Sequence, residues 1–169
     1  MNEFSILTYM LSQRGEHIGA TEEQLMDKLN LKDKGGMPYL HELLDSYAEH
    51  LSLLGLKLAR NHLENTWFIT FDEELHAIGK VNPFHGRTRL ASTLVAILVA
   101  MICDGDSPRI SRVKEIRRKK DILMDIKDLT DLGLISVDGD EIKLRGKVGY
   151  YINLLEFMDL FETFLREKY

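Results

Sequence analysis

Two segments of this chain carry the pattern of a β-hairpin, and each comes directly after a helical stripe of apolar residues. Leu56, Leu58 and Arg60 open the first, Trp67, Ile69 and Phe71 alternate along its return, and Asn61 to Asn65 make the turn. The second is Leu134 to Val137 and Glu141 to Leu144 around Asp138-Gly139, a pair suited to the left-handed backbone of a tight hairpin. Before the first hairpin, Leu40, Leu43, Leu44, Tyr47 and Leu51 recur at helical spacing. Pro38 can open that helix, because its missing N–H is not needed there, and Gly55 can end it. Before the second hairpin, Asp121 to Leu132 reads as a helix stopped by Gly133.

Each helix–hairpin pair is preceded by two more helical segments. Phe4, Leu7 and Leu11 mark a first helix ending near Gly15. Thr21-Glu22-Glu23-Gln24 has the form of a capping box, opening a short helix faced by Leu25, Met26 and Leu29. Lys32 to Gly36 is a turn. In the second half, Thr88 to Cys103 is a long apolar helix, Pro108 to Ser111 a short strand and Arg112 to Lys119 a short helix. Helix, helix, helix, hairpin is the winged-helix order, and here it occurs twice. The expected architecture is mainly α with small β wings: two tandem winged-helix domains plus a C-terminal helix. The boundaries fall at 1–71 for the first domain, 72–87 for a connector with a short helix at Glu73–Ile78, 88–149 for the second domain and 150–169 for the last helix. In that helix Asn153 is the expected cap, and Leu154, Phe157, Met158, Phe161, Phe164 and Leu165 form a stripe. One irregular helical bundle is the rival arrangement, and it accounts poorly for two hairpins.

Winged helices invite a DNA-binding reading, in which the third helix enters the major groove. Such binding replaces phosphate counterions with Lys and Arg. The first third helix instead holds Glu42, Asp45 and Glu49 with no Lys or Arg. The second holds Asp121, Asp125, Asp128 and Asp131 against Lys127 alone, with the acids expected along one side. The whole chain carries 22 Lys/Arg and 27 Asp/Glu, net −5. Residues 1–84 carry 7 and 13, net −6, and residues 85–169 carry 15 and 14, net +1, so neither half is a strongly basic body. One basic cluster stands against this, with Arg109, Arg112, Lys114, Arg117, Arg118, Lys119 and Lys120 close together. Three readings stay open for it: a solvated face, nonspecific phosphate contact by Arg112, Lys114, Arg117, Arg118, Lys119 and Lys120, or a site for an acidic protein segment.

No catalytic constellation stands out. The six histidines form no His-x-x-x-His pair, Gly35-Gly36 lacks the ending of a phosphate loop, and adjacent acids such as Glu22-Glu23 do not converge on a helix. The one cysteine, Cys103, excludes an internal disulfide and reads as a small core residue rather than a nucleophile. The expectation is therefore a protein without enzymatic activity, cofactor or metal. The opening residues lack the form of a signal peptide. The apolar run Leu90 to Cys103 is shorter than the roughly 20 residues of a membrane span. A cytoplasmic protein without membrane contact is expected.

Several ordered motifs resemble the segregation and condensation protein B family. Glu22-Glu23-Gln24-Leu25 is similar to that family's second helix, and Leu40-His41-Glu42-Leu43-Leu44 through Tyr47 to its third. Ser92-Thr93-Leu94-Val95-Ala96-Ile97-Leu98 resembles its Leu-Glu-Thr-Leu-Ala-Ile-Ile stretch. Pro108, Ile110-Ser111-Arg112 and Ile116-Arg117 resemble its Pro-Ile-Thr-Arg and Ile-Arg-Gly elements, and Leu129 through Leu132-Gly133-Leu134-Ile135 its Gly-Leu-Ile turn. Gly146, Tyr151, Phe157-Met158 and Phe161 match later positions. Arg118 stands where the family has glycine, and Ile152-Asn153 replaces a Thr-Thr; the departures fit a divergent member, with an archaeal origin one option. The resemblance implies chromosome segregation and condensation in the cell cycle, at the nucleoid. It implies an accessory subunit that dimerises and binds the kleisin, and through it a structural maintenance of chromosomes ATPase. The surplus apolar helix surface marks Leu94, Leu98, Met101, Leu154, Phe157 and Phe161 as candidate partner contacts, with internal packing as the rival account. A tandem winged-helix transcription regulator is the alternative function.

Overall fold

The computed structural model describes residues 2–14, 18–31, 35–71, 84, 86–105, 107–119 and 121–168. The connector expected at 72–87, with its helix at Glu73–Ile78, lies almost wholly outside the described residues, as does Lys120. The chain is mainly helical with small antiparallel sheets, and it divides into two compact units, residues 1–79 and 80–169.

In the first unit α1 spans Glu3–Leu11, where the Asn2 side chain accepts the Phe4 N–H at 3.2 Å. It stops short of the expected Gly15. The apolar stripe runs out at Leu11, and polar Ser12 turns its hydroxyl back to the Tyr9 carbonyl. A short strand, β1 (Ala20–Thr21), follows; two residues are too few to show an alternating pattern, so it is not legible in the sequence. Thr21 also caps α2 (Glu22–Lys28) through the expected box: Gln24 N–H to Thr21 Oγ1 at 3.2 Å, and Thr21 N–H to Gln24 Oε1 at 2.9 Å. α3 (Gly36–Ser52) has Pro38 in its first turn and buries Leu40, Leu44, Tyr47 and Leu51. Tyr47 binds α1 twice, by a 2.7 Å hydrogen bond to Thr8 Oγ1 and by edge-to-face contact with the Phe4 ring. β2 (Leu56–Asn61) pairs antiparallel with β3 (Thr66–Phe71), and β1 joins the other edge of β3, giving the order β1-β3-β2. Leu7, Leu11, Leu25, Leu40, Leu44, Tyr47 and Leu51 fill the core. Each such side chain contributes about 1.5–3 kcal/mol by leaving water.

The second unit begins with α4 (Thr88–Asp104). The strand expected at Pro108–Ser111 is reduced to one bridge, Arg109 with Glu141. The helix expected from Arg112 starts earlier, so α5 spans Ile110–Arg117. Pro108 and Ile110 reach the hairpin backbone, through Ile142 N–H to Pro108 O and Ile110 N–H to Asp140 O, both at 2.9 Å. Arg118 ends α5 in the left-handed region at φ 50°. Then come α6 (Leu123–Asp131), the antiparallel pair β4 (Ile135–Asp138) and β5 (Glu141–Leu144), a 3₁₀ turn at Gly146–Tyr150, and α7 (Leu154–Lys168). Asn153 Oδ1 accepts the Glu156 N–H at the start of α7, as the cap requires. The core joins Leu90, Leu94 and Ile97 of α4 to Val113, Ile122, Ile126, Leu129, Ile135, Ile142 and Val148. Cys103 is exposed on the last turn of α4, so its reading as a core residue is corrected. The stripe that turns inward there runs through Leu90, Leu94, Ile97 and Ala100, and Cys103 falls past its end.

Candidate functional site

The helices that follow the turn in each unit present different outward faces. On α3, Glu42, Asp45 and Glu49 are all exposed, as expected. On α6 the expectation of four acids on one outward side is corrected. Asp125 is only 2% exposed and points inward, accepting Arg89 Nε at 2.6 Å and Thr93 Oγ1 at 2.9 Å. A buried carboxylate keeps its charge only with such partners, and the hydrogen bond and charge of Asp125 in turn hold Arg89 above the usual arginine range. Asp121 sits before the helix and accepts the Leu123 N–H at 3.1 Å. Only Asp128 and Asp131 remain exposed on the helix itself. They line a groove of about 520 Å³ with Arg87, Arg89, Leu90, Asp125 and Leu132.

The outward face of α6 is instead headed by Leu123 and Met124, 55% and 58% exposed. Ile122, Ile126 and Leu129 take the inward positions at offsets 0, 4 and 7, which turns the two residues after Ile122 to solvent. Neither residue is among the candidates expected from the sequence. Their signal is there: both are large, apolar and out of phase with the buried stripe.

Of the candidate partner contacts, Leu94 and Leu98 are buried, at 1% and 3% exposure, and Met101 and Leu154 are half-buried against the second unit's own core. Phe157 and Phe161 are half-buried. The apolar side chains that α4 leaves exposed are Val95 and Ile102. In the basic cluster, Arg112 is tied to Asp104 at 2.6 Å and to Glu115 at 3.0 Å, so part of its charge is answered within the unit. Arg117 is half-exposed and reaches the Arg89 carbonyl at 3.4 Å. Arg109, Arg118 and Lys119 are exposed and Lys114 is half-exposed.

A polar node forms around Glu22 in the first unit. Glu22, at the start of α2, accepts Trp67 Nε1 at 3.2 Å and lies 3.3 Å from His41 Nε2 and 3.4 Å from an Arg60 nitrogen. Burial pushes its carboxyl up, but the hydrogen bonds from Trp67 and His41 and the charge of Arg60 outweigh it, and the net effect is a lowered pKa. A carboxylate whose pKa falls on folding stabilises the fold above its unfolded pKa, and the contribution is lost as pH falls through the folded value. Glu22→Gln is therefore expected to lower the melting temperature of the first unit at neutral pH and to match wild type in acid, below the usual carboxylate range. Thermal melts of both proteins across pH check this; a constant gap at every pH would reject it.

Among the described residues, no three His, Cys, Asp or Glu side chains gather as a metal-holding cluster, and no helix is long and apolar enough to cross a membrane. Compared with protein-family models, curated proteins and solved structures, the chain matches none.

Proposed function

We propose that the chain is a non-enzymatic accessory subunit of a condensin-like chromosome-organising complex, built from two tandem winged-helix domains. It dimerises and binds the kleisin subunit and, through it, a structural maintenance of chromosomes ATPase, in the cytoplasm at the nucleoid. The order of elements in each unit supports the winged-helix reading. Arg118 supports the resemblance: it stands at the family's glycine position and has the positive φ that glycine adopts most readily.

The observation that carries the protein-binding reading is the outward face of α6. A helix that reads DNA approaches a phosphate charge every ~1.7 Å along the duplex axis. This one offers Leu123, Met124, Asp128 and Asp131 around the single cation Lys127. Acids repel the backbone, and exposed Leu and Met gain nothing from phosphate. A protein groove covers such a pair at about 25 cal/mol per Å².

Co-expression with the kleisin of the source organism tests the reading. A complex held by apolar contact is expected to survive from 50 to 200 mM salt, a range in which a complex of 6–10 phosphate contacts weakens roughly 10³–10⁵-fold. Recovery of one operator sequence with no ring subunit would overturn the proposal in favour of a transcription regulator.

A further inference from the structure

Residues 109–120 hold seven Lys/Arg against one acid, net +6, in a chain of net −5, so the remaining residues together sum to −11. α5 sorts these cations. Arg112 projects about 160° around the helix from Lys114, and it is the one that Asp104 and Glu115 hold. Arg117 lies on the Lys114 side, one turn further on. The helix then closes on the left-handed Arg118. The Arg118 N–H reaches Glu115 O at 3.0 Å, and the Lys119 N–H folds back to Lys114 O at 3.2 Å. Lys114, Arg117, Arg118 and Lys119 are thereby gathered at one end of α5. Arg118 and Lys119 are exposed, and Lys114 and Arg117 are half-exposed. Among the described residues, no carboxylate forms an ion pair with any of the four.

We infer that Lys114, Arg117, Arg118 and Lys119 form a sequence-independent contact for the phosphate backbone of duplex DNA. The contact is separate from kleisin capture, which the proposed function places on α6. Four like charges this close repel one another, and a purely structural cluster would be neutralised within the chain, as Arg112 is. Arg118 holds a cation at φ 50°, a backbone state that glycine adopts most readily. The surroundings select the occupant. Residues 107–119 expose no large apolar side chain, so a protein segment or a membrane surface finds no apolar anchor there. They include no aromatic residue on which the bases of a single strand would stack. The four cations offer no neutral donor of the kind that duplex-RNA readers aim at 2′-hydroxyls. Duplex DNA, with a phosphate charge every ~1.7 Å of axis, asks for cations alone. Its approach is confined to this end of α5. The second hairpin exposes Asp138, Asp140 and Glu141, and Arg109 bridges to the last of them. A duplex is therefore held by its backbone, without a helix in the groove to read bases.

Fluorescence anisotropy of the full chain with two duplex DNAs of unrelated sequence tests the contact. Both are expected to bind alike, and to weaken roughly a hundredfold from 50 to 200 mM salt, as about four phosphate contacts require. Arg118→Gly separates binding from folding, because glycine suits the backbone there while one cation is lost. It is expected to melt no lower than wild type and to reduce the slope of log affinity against log salt by about 1. Arg112→Gln, on the far side of α5, is expected to change the slope by less than half as much. No binding at the lower salt overturns the inference, as does an unchanged slope in Arg118→Gly or a strong preference for one of the two sequences. Displacement of the DNA by polyglutamate at equal charge assigns the cluster to an acidic protein segment instead, and tighter binding of duplex RNA assigns it to RNA. Kleisin capture by Arg118→Gly is expected to equal wild type, and a joint loss would overturn the separation of the two contacts.

Discussion

Gly19→Ala is expected to destabilise the first unit by more than about 3 kcal/mol. Gly19 has φ +79°, in the left-handed region, and a Cβ there would overlap the carbonyl oxygen of Trp67 and meet Phe68 Cβ at 2.9 Å. Trp67 belongs to β3, the central strand, and pairs with Ala20, the residue after the glycine. The methyl group has no flexible side chain to push aside. Either β1 leaves the sheet or the central strand shifts. The backbone conformation alone costs an alanine roughly 1–2 kcal/mol, and losing the strand contact takes the total above about 3 kcal/mol, a large share of a domain's 5–15 kcal/mol. Gly139→Ala is the control. Its φ is +60°, but nothing lies within 4 Å of the added carbon. That change is expected to cost only about 1 kcal/mol, from backbone conformation. Denaturant titration of both variants checks the contrast, and equal losses would reject the steric account.

The double change Leu123→Lys with Met124→Lys is expected to weaken kleisin binding at least about thirtyfold, the loss of a 2 kcal/mol hot spot. Both side chains are more than half exposed, so the fold is expected to tolerate them to within about 0.5 kcal/mol each. The two functional readings predict opposite signs. On a DNA-reading helix, two added lysines would strengthen binding through further phosphate contacts. On a protein-binding face they remove the apolar contact and bury charge. Calorimetry with the kleisin and fluorescence anisotropy with duplex DNA measure both. A loss under about threefold for the kleisin would remove α6 from the interface.

Much of this fold is legible in the sequence because its elements are long or strongly punctuated. The α3 stripe, the Thr21–Gln24 box and the glycine of the second hairpin each combine a local backbone preference with an apolar period, although the turn itself is Gly139-Asp140, one residue later than expected, with Asp138 paired to Glu141. Misreadings fall where an element is too short to carry a period. β1 is two residues long, and the Pro108–Ser111 segment contributes one bridge before its backbone turns helical. The candidate surface is less legible, since charge counting locates acids along a helix but not which of them a neighbouring helix takes. Arg89 lies 36 residues before Asp125, and nothing local to Asp125 announces the pair. The same limit applies to Leu94 and Leu98. Apolarity marks them as contact-making, and only the packing assigns the contact to the chain itself.

The inward carboxylate of α6 has a consequence for how that helix meets the outside. An all-hydrocarbon seam lets a helix roll by several degrees at little cost, because dispersion is non-directional. Asp125 removes that latitude: any roll would strand an anion away from Arg89 and Thr93. Leu123 and Met124 are therefore displayed at one fixed azimuth. On the proposed function, a partner would meet this surface already in shape, with less disorder left to surrender on arrival.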